Sequence, residues 1–134
     1  MVNASLAGND PQTATSSKPE LVVYTILLRL GLRPQVDFTY QSKMMGGRSE
    51  RGGAIIDFVF ENPPGLAINI QGEFFHYEQG TAQIRNSLID RELLAGQGIT
   101  LIFIDAADLE RDAEFYVREA LAFRDHSLLA GRGF

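Results

Sequence analysis

A carboxylate sits inside an apolar run. Ile55-Ile56-Asp57-Phe58-Val59-Phe60 is β-branched or aromatic at every position except Asp57. That composition belongs to a buried strand. An ionised group there costs several kcal/mol unless a hydrogen-bond partner, a cation or a metal ion compensates it. Whatever fold this chain adopts must supply such a compensation, which makes Asp57 the first candidate for chemistry. A second apolar run, Leu66–Gly72, follows the turn Asn62-Pro63-Pro64-Gly65. So short a turn makes the two runs antiparallel neighbours.

Side-chain parity then sorts the pair. Ile56, Phe58 and Phe60 should share one face with Leu66, Ile68 and Ile70 as a core. Ile55, Asp57 and Val59 should share the other with Ala67, Asn69 and Gln71. Asp57, Asn69 and Gln71 would project together near one end, with Glu73 and His76 following where the chain leaves the sheet. Oxygen donors of this kind suit a hard cation such as Mg²⁺. An imidazole can move a proton or hold a metal-bound water. Each residue also has a plainer reading. Asp57 could bond only a backbone amide or an arginine. Asn69 and Gln71 could be ordinary residues of a half-exposed face, His76 a partly buried histidine among Phe74, Phe75 and Tyr77, and His126 a surface residue.

Around this pair the chain reads as one domain. Residues 1–18 lack aromatics and are rich in small polar residues, which predicts a flexible tail. Ser16-Ser17-Lys18-Pro19-Glu20 carries helix-start signals, and Gly31 is a stop. Val36, Phe38 and Tyr40 alternate with polar residues as a first strand. Gln41–Gly53, with four glycines and the cations Lys43, Arg48 and Arg51, predicts a long mobile connection. A helix is expected from about Thr81 to Ala95, a buried strand over Ile99–Ile104, and a last helix from Asp108 or Glu110 to about Arg124. The domain is thus expected over 19–126, with 127–134 as a C-terminal tail. The order is helix, three strands, helix, strand, helix: an α/β fold with a small mixed sheet flanked by helices.

Bulk properties exclude several classes. The chain has no Cys, so neither disulfides nor thiolate metal sites. No apolar run approaches a membrane span, and the N-terminus lacks the basic and apolar regions of a signal peptide. Both point to a cytoplasmic protein. The net charge of −5 argues against coating nucleic acid through bulk charge, though it leaves room for a local basic patch.

The element order, with Asp57 in the second strand, resembles the core of the PD-(D/E)XK nuclease superfamily. More narrowly, Ile56-Asp57-Phe58 and Ile70-Gln71-Gly72-Glu73-Phe74-Phe75-His76 resemble the very-short-patch-repair endonucleases. They are also similar to EDxHD homing endonucleases and small phage or restriction-associated nucleases. Ile89-Asp90-Arg91 through Gly98-Ile99-Thr100-Leu101-Ile102 is similar to these families' following helix and strand, and Glu20 matches their leading Glu. The likeness spans about residues 19–124. It implies a restriction-endonuclease-like αβββαβα core with a mixed four-stranded sheet. It implies Mg²⁺ or Mn²⁺ bound by Asp57, with Gln71 or main chain near Ile70, Glu73 and Asp90 as further ligands. His76 would assist the water or the leaving group, and Glu20 would orient partners. Lys43, Arg48, Arg51, Arg85 and Arg91 would hold DNA phosphates. One departure stands out: the family's acid and lysine on the third strand are replaced by Asn69 and Gln71. The expected activity is a metal-dependent DNA endonuclease, acting as a homodimer or beside a DNA-binding partner. The alternatives are a catalytically degenerate nuclease-fold subunit used for binding or assembly, and a small-molecule hydrolase using Glu73 and His76.

Overall fold

The structure, a computed structural model, describes residues 18–40, 49–51, 54–72 and 78–131. Its elements run α1 (Lys18–Arg29), β1 (Phe38–Tyr40), β2 (Ser49–Arg51), β3 (Ala54–Ile56), β4 (Phe58–Phe60), β5 (Leu66–Gln71), α2 (Glu78–Ala95), β6 (Thr100–Asp105), α3 (Ala106–Leu121) and α4 (Leu128–Gly131). The order β1-β4-β5-β6 makes one four-stranded sheet, and β2-β3 forms a separate two-stranded ribbon. β4 lies antiparallel to both β1 and β5, whereas β6 is parallel to β5. The parallel pair follows from the α2 crossover, because reversing direction twice restores it. The fold is therefore α/β with a mixed sheet.

Helix α1 ends as its sequence requires. Gly31 adopts φ +94°, Leu32 N–H donates to Leu27 O and Gly31 N–H to Leu28 O, each at 3.0 Å. This paired closure satisfies two terminal carbonyls and favours glycine at the left-handed position. The buried stripe of Val23, Ile26 and Leu27 meets the sheet. It packs with Phe38, Phe58, Phe60, Leu66, Ile68, Ile102 and Ile104, together with Leu109 and Val117 of α3. The opposite face of the sheet buries Val59, Ala67, Leu101 and Phe103 under Leu88 and Leu94 of α2 and Leu129 of α4.

Ile56 departs from the expected parity. It belongs with Val59 and Ala67 rather than with Phe58 and Phe60. The reason is a break at Asp57: the expected single strand is two, with β3 turned aside to pair with β2 (Ser49↔Ile56) and only β4 pairing in the main sheet. Ser49–Arg51, expected within a mobile connection, is consequently a strand. The first strand is also shorter than the alternation suggests. Val36 lies outside it and is exposed, because the chain turns over 33–37. There Asp37 Oδ2 accepts Arg33 N–H at 2.7 Å, and Asp37 O accepts the amides of Glu61 and Asn62. The Arg33 amide, then its guanidinium, hold the Asp37 carboxyl below the usual carboxylate range. The buried Asp37 thereby ties the α1–β1 turn to the β4–β5 turn.

The expected C-terminal tail begins inside packed structure. Ser127 and Leu129 are buried, and Leu128–Gly131 forms α4. Asp125 Oδ2 accepts Phe103 N–H at 3.0 Å, covering an amide of β6, and Asp125 Oδ1 accepts the Ser127 amide at 2.8 Å. Upstream, Glu119 receives both Arg124 Nε and Nη2 at 2.8 Å and faces His126 Nε2 at 2.9 Å. Arg124 first, then His126, hold the Glu119 carboxyl down to about 2 from 4.5. A lowered folded-state pKa means stability that is present above pH 4.5 and lost as pH falls toward 2. Thermal melting between these limits should show a decline that flattens in Glu119→Gln. An equally steep decline in the variant would assign the acid sensitivity elsewhere.

Candidate active site

One end of the sheet gathers the polar side chains. Tyr40 pairs with Phe58 across β1 and β4, and β4 begins immediately after Asp57. Beside it β5 reaches its C-terminal residues Asn69, Ile70 and Gln71, and β6 ends in register at Asp105. Four adjacent strands thus end together around Asp57.

The break at Asp57 is held by a reciprocal pair of bonds. Asp57 N–H donates to Asn69 Oδ1 at 2.7 Å, while Ile70 N–H donates to Asp57 Oδ2 at 3.0 Å. Each side chain replaces a main-chain carbonyl that a continuous ladder would have offered. Two of the three polar residues that parity placed on one patch, Asp57 and Asn69, do meet. Asp57 and Asn69 are both buried, at 2% and 7% exposure, so neither is a plain surface residue. The compensation demanded by a carboxylate in an apolar run includes a backbone amide, one of the plainer alternatives.

Gln71, also buried, turns its amide nitrogen to Ser87 Oγ of α2 at 3.3 Å. Ser87 carries no signal in the sequence that would have nominated it. With the nitrogen so used, the carbonyl oxygen is the acceptor end of the Gln71 amide. Asp90 and Arg91 follow Ser87 by one helical turn and are half-buried, whereas Arg85 is exposed. Residues three and four apart are surface neighbours on a helix, so Asp90 and Arg91 flank the Gln71 contact.

Glu20 is buried in α1 at 2% exposure, and Tyr40 donates its hydroxyl to Glu20 Oε1 at 2.6 Å. Tyr40 also packs its ring 4.9 Å from that of Phe58. The head of α1 is thereby joined to the strand that starts just after Asp57. Tyr40 was read from the sequence only as an alternating strand residue; its role depends on a contact 20 positions away.

Lys43, Arg48, Glu73 and His76 lie outside the described residues, and of Arg51 only the backbone is described. Among the described residues, no three His, Cys, Asp or Glu side chains are grouped to hold a metal. Mg²⁺ does not demand three: it retains several waters and is held by one or two carboxylates with other oxygens. The donors present, the Asp57 carboxylate and the Gln71 amide oxygen, are of that hard-oxygen type. Among the described residues no helix is long and apolar enough to cross a membrane.

No protein-family model matches the chain, and no curated protein or solved structure matches it.

Proposed function

We propose that this chain is a metal-dependent DNA endonuclease with a restriction-endonuclease-like core. The observation that carries the reading is the break in the central strand. A buried acid, Asp57, stands at the bend between β3 and β4, at the end of a mixed four-stranded sheet, and is bonded across to the strand bearing Asn69 and Gln71. The α/β order of elements, the mixed four-stranded sheet and a buried acid beside its second strand support this reading.

Asp57 and Gln71 would hold Mg²⁺ or Mn²⁺, with Glu73 and Asp90 as further oxygen donors. When bound, such an ion polarises the scissile phosphate and lowers the pKa of a coordinated water. The chain's own residues do the rest. Ile70 N–H and Asn69 hold the Asp57 carboxylate and its backbone in place, so little reorganisation accompanies reaction. Glu20, locked by Tyr40, supports the α1 side of the site. His76 or Glu73 would carry protons to and from the reacting oxygens. Lys43, Arg48, Arg51, Arg85 and Arg91 would neutralise the DNA backbone, which makes binding salt-sensitive. With a net charge of −5, a lone copy has a weak grip on DNA, which favours a homodimer or a DNA-binding partner.

Supercoiled plasmid incubated with the protein and Mg²⁺ or Mn²⁺ tests the proposal. Nicked or linear product should form with the wild type and not with Asp57→Ala. Product that persists undiminished in the variant would refute it.

One observation favours a second reading, a nuclease-like subunit serving binding or assembly. Both Asp57 and Asn69 bond the main chain, as purely architectural residues would, and β5 carries no acid–lysine pair. Calorimetry separates the two: a stable protein complex formed without any Mg²⁺ or Mn²⁺ binding supports the subunit.

A further inference from the structure

Helix α2 commits one face to the core and leaves another uncovered. Leu88 and Leu94 pack under the sheet, with Ile84 against them. On the outer side, Ile89 and Leu93 stay 49% and 44% exposed. Apolar residues scattered singly over a surface need no explanation. These two stand four apart on one helix, so they are adjacent on one face. Arg85, Asn86 and Glu92 share that face and are exposed as well.

The spacing of the charges makes this face its own complement. Arg85 and Glu92 are seven residues apart, close to two turns, so they lie in one row along one edge. Asn86 and Leu93 form the other row, and Ile89 lies between the two. Ile89 also falls at the midpoint of Arg85 and Glu92, to within one residue. A second copy laid antiparallel across the face, about a twofold axis at Ile89, brings Arg85 of each copy to Glu92 of the other. Ile89 then meets its own counterpart at the centre, where interface energy concentrates. A parallel pairing would carry the charged rows to opposite edges and leave both ions unmatched. Exposed ion pairs add little affinity, but they fix orientation.

We infer that the outer face of α2 is a self-association surface, and that its occupant is a second copy of this chain, antiparallel about Ile89. A patch this small makes a weak, concentration-dependent pair. In that pair Arg85 is committed to Glu92 of the other copy, which leaves DNA phosphate to Arg91 and the cations of 43–51. The homodimer is read by mass rather than by cleavage, so its failure is distinct from failure of the nuclease reading. Sedimentation equilibrium is run on the full chain at about 0.15 M salt, where repulsion between two copies of net charge −5 is largely screened. The variants are Ile89→Lys, Arg85→Glu, Glu92→Arg and the double reversal Arg85→Glu with Glu92→Arg. All three positions are exposed, so each variant should keep the wild-type fold by circular dichroism. Ile89→Lys and each single reversal should raise the dimer dissociation constant about tenfold or more. The double reversal should return it to within about threefold of wild type, because the same pairs re-form with their signs exchanged. If Ile89→Lys does not fold, the reversals carry the comparison. A wild type that stays monomeric up to about 1 mM would overturn the proposal. So would a dimer that Ile89→Lys leaves unchanged, or a double reversal as weak as the single ones.

Discussion

Asp57→Asn is expected to abolish DNA cleavage while leaving the protein folded. An asparagine keeps an oxygen that can accept the Ile70 amide, and its own backbone amide can still donate to Asn69 Oδ1. What it lacks is the negative charge that would hold a divalent cation. The rate should fall on the order of 10²–10³-fold, the kinetic equivalent of several kcal/mol of lost electrostatic stabilisation. Asp57→Ala should behave differently. It loses the charge and also strands the Ile70 amide, for a penalty of about 1–3 kcal/mol in stability. The melts therefore separate the two duties of one residue. If Asn and Ala variants melt alike, well below the wild type, the charge itself is structural. If both cleave at the wild-type rate, the nuclease reading fails.

The second large effect is expected at Phe58. Its ring is completely buried, 4.9 Å from Tyr40 and 6.2 Å from Phe38 between ring centres. It belongs to β4, a strand held on both sides by neighbours, so the backbone has little freedom to close a void. Phe58→Ala should cost about 3–5 kcal/mol. Against a total of about 5–15 kcal/mol, that is a large share of the whole stability. The melting temperature should drop by roughly 10–20 °C. Val36→Ala, on the exposed turn, should change stability by only about 0.5 kcal/mol or less. A Phe58 variant that melts within a few degrees of wild type would mean the face beneath α1 and α3 is not the main core.

Much of the fold is legible in the sequence because periodicity carries it. Helix α1 announces itself by its start and stop signals, and the meander follows from the tight Asn62–Gly65 turn; α3 is expected from Asp108 or Glu110 but already begins at Ala106, after an N-cap Asp105 whose side chain makes no cap bond. The parallel pairing of β5 with β6 follows from chain direction alone. What escapes is what pattern cannot encode. Ser49-Glu50-Arg51 is wholly polar, so nothing in it suggests β2; it is a strand because β3 needs a partner once it leaves the sheet. The break at Asp57 hides inside an unbroken apolar run, and its only trace is the misplaced charge itself. The pairing of Asp57 with Asn69 was accessible through side-chain parity. The Tyr40–Glu20 and Gln71–Ser87 contacts were not, because they join elements whose mutual packing no local rule states. The same holds within α3. Asp112 leaves helical geometry (φ −161°, ψ 80°) and accepts Phe115 N–H at 3.2 Å, capping the second half of a helix whose sequence reads as continuous.

The carboxylate that Asp125 places on the Phe103 amide has a consequence for how copies of this protein meet. An outermost strand with unsatisfied main-chain donors invites another chain to extend the sheet, the first step toward fibrils or strand exchange. On the β6 side that invitation is partly withdrawn, because an incoming backbone would have to displace a charged acceptor before gaining a bond. Extension of this sheet is therefore steered toward the opposite margin, where the described residues of β1, Phe38–Tyr40, are the template.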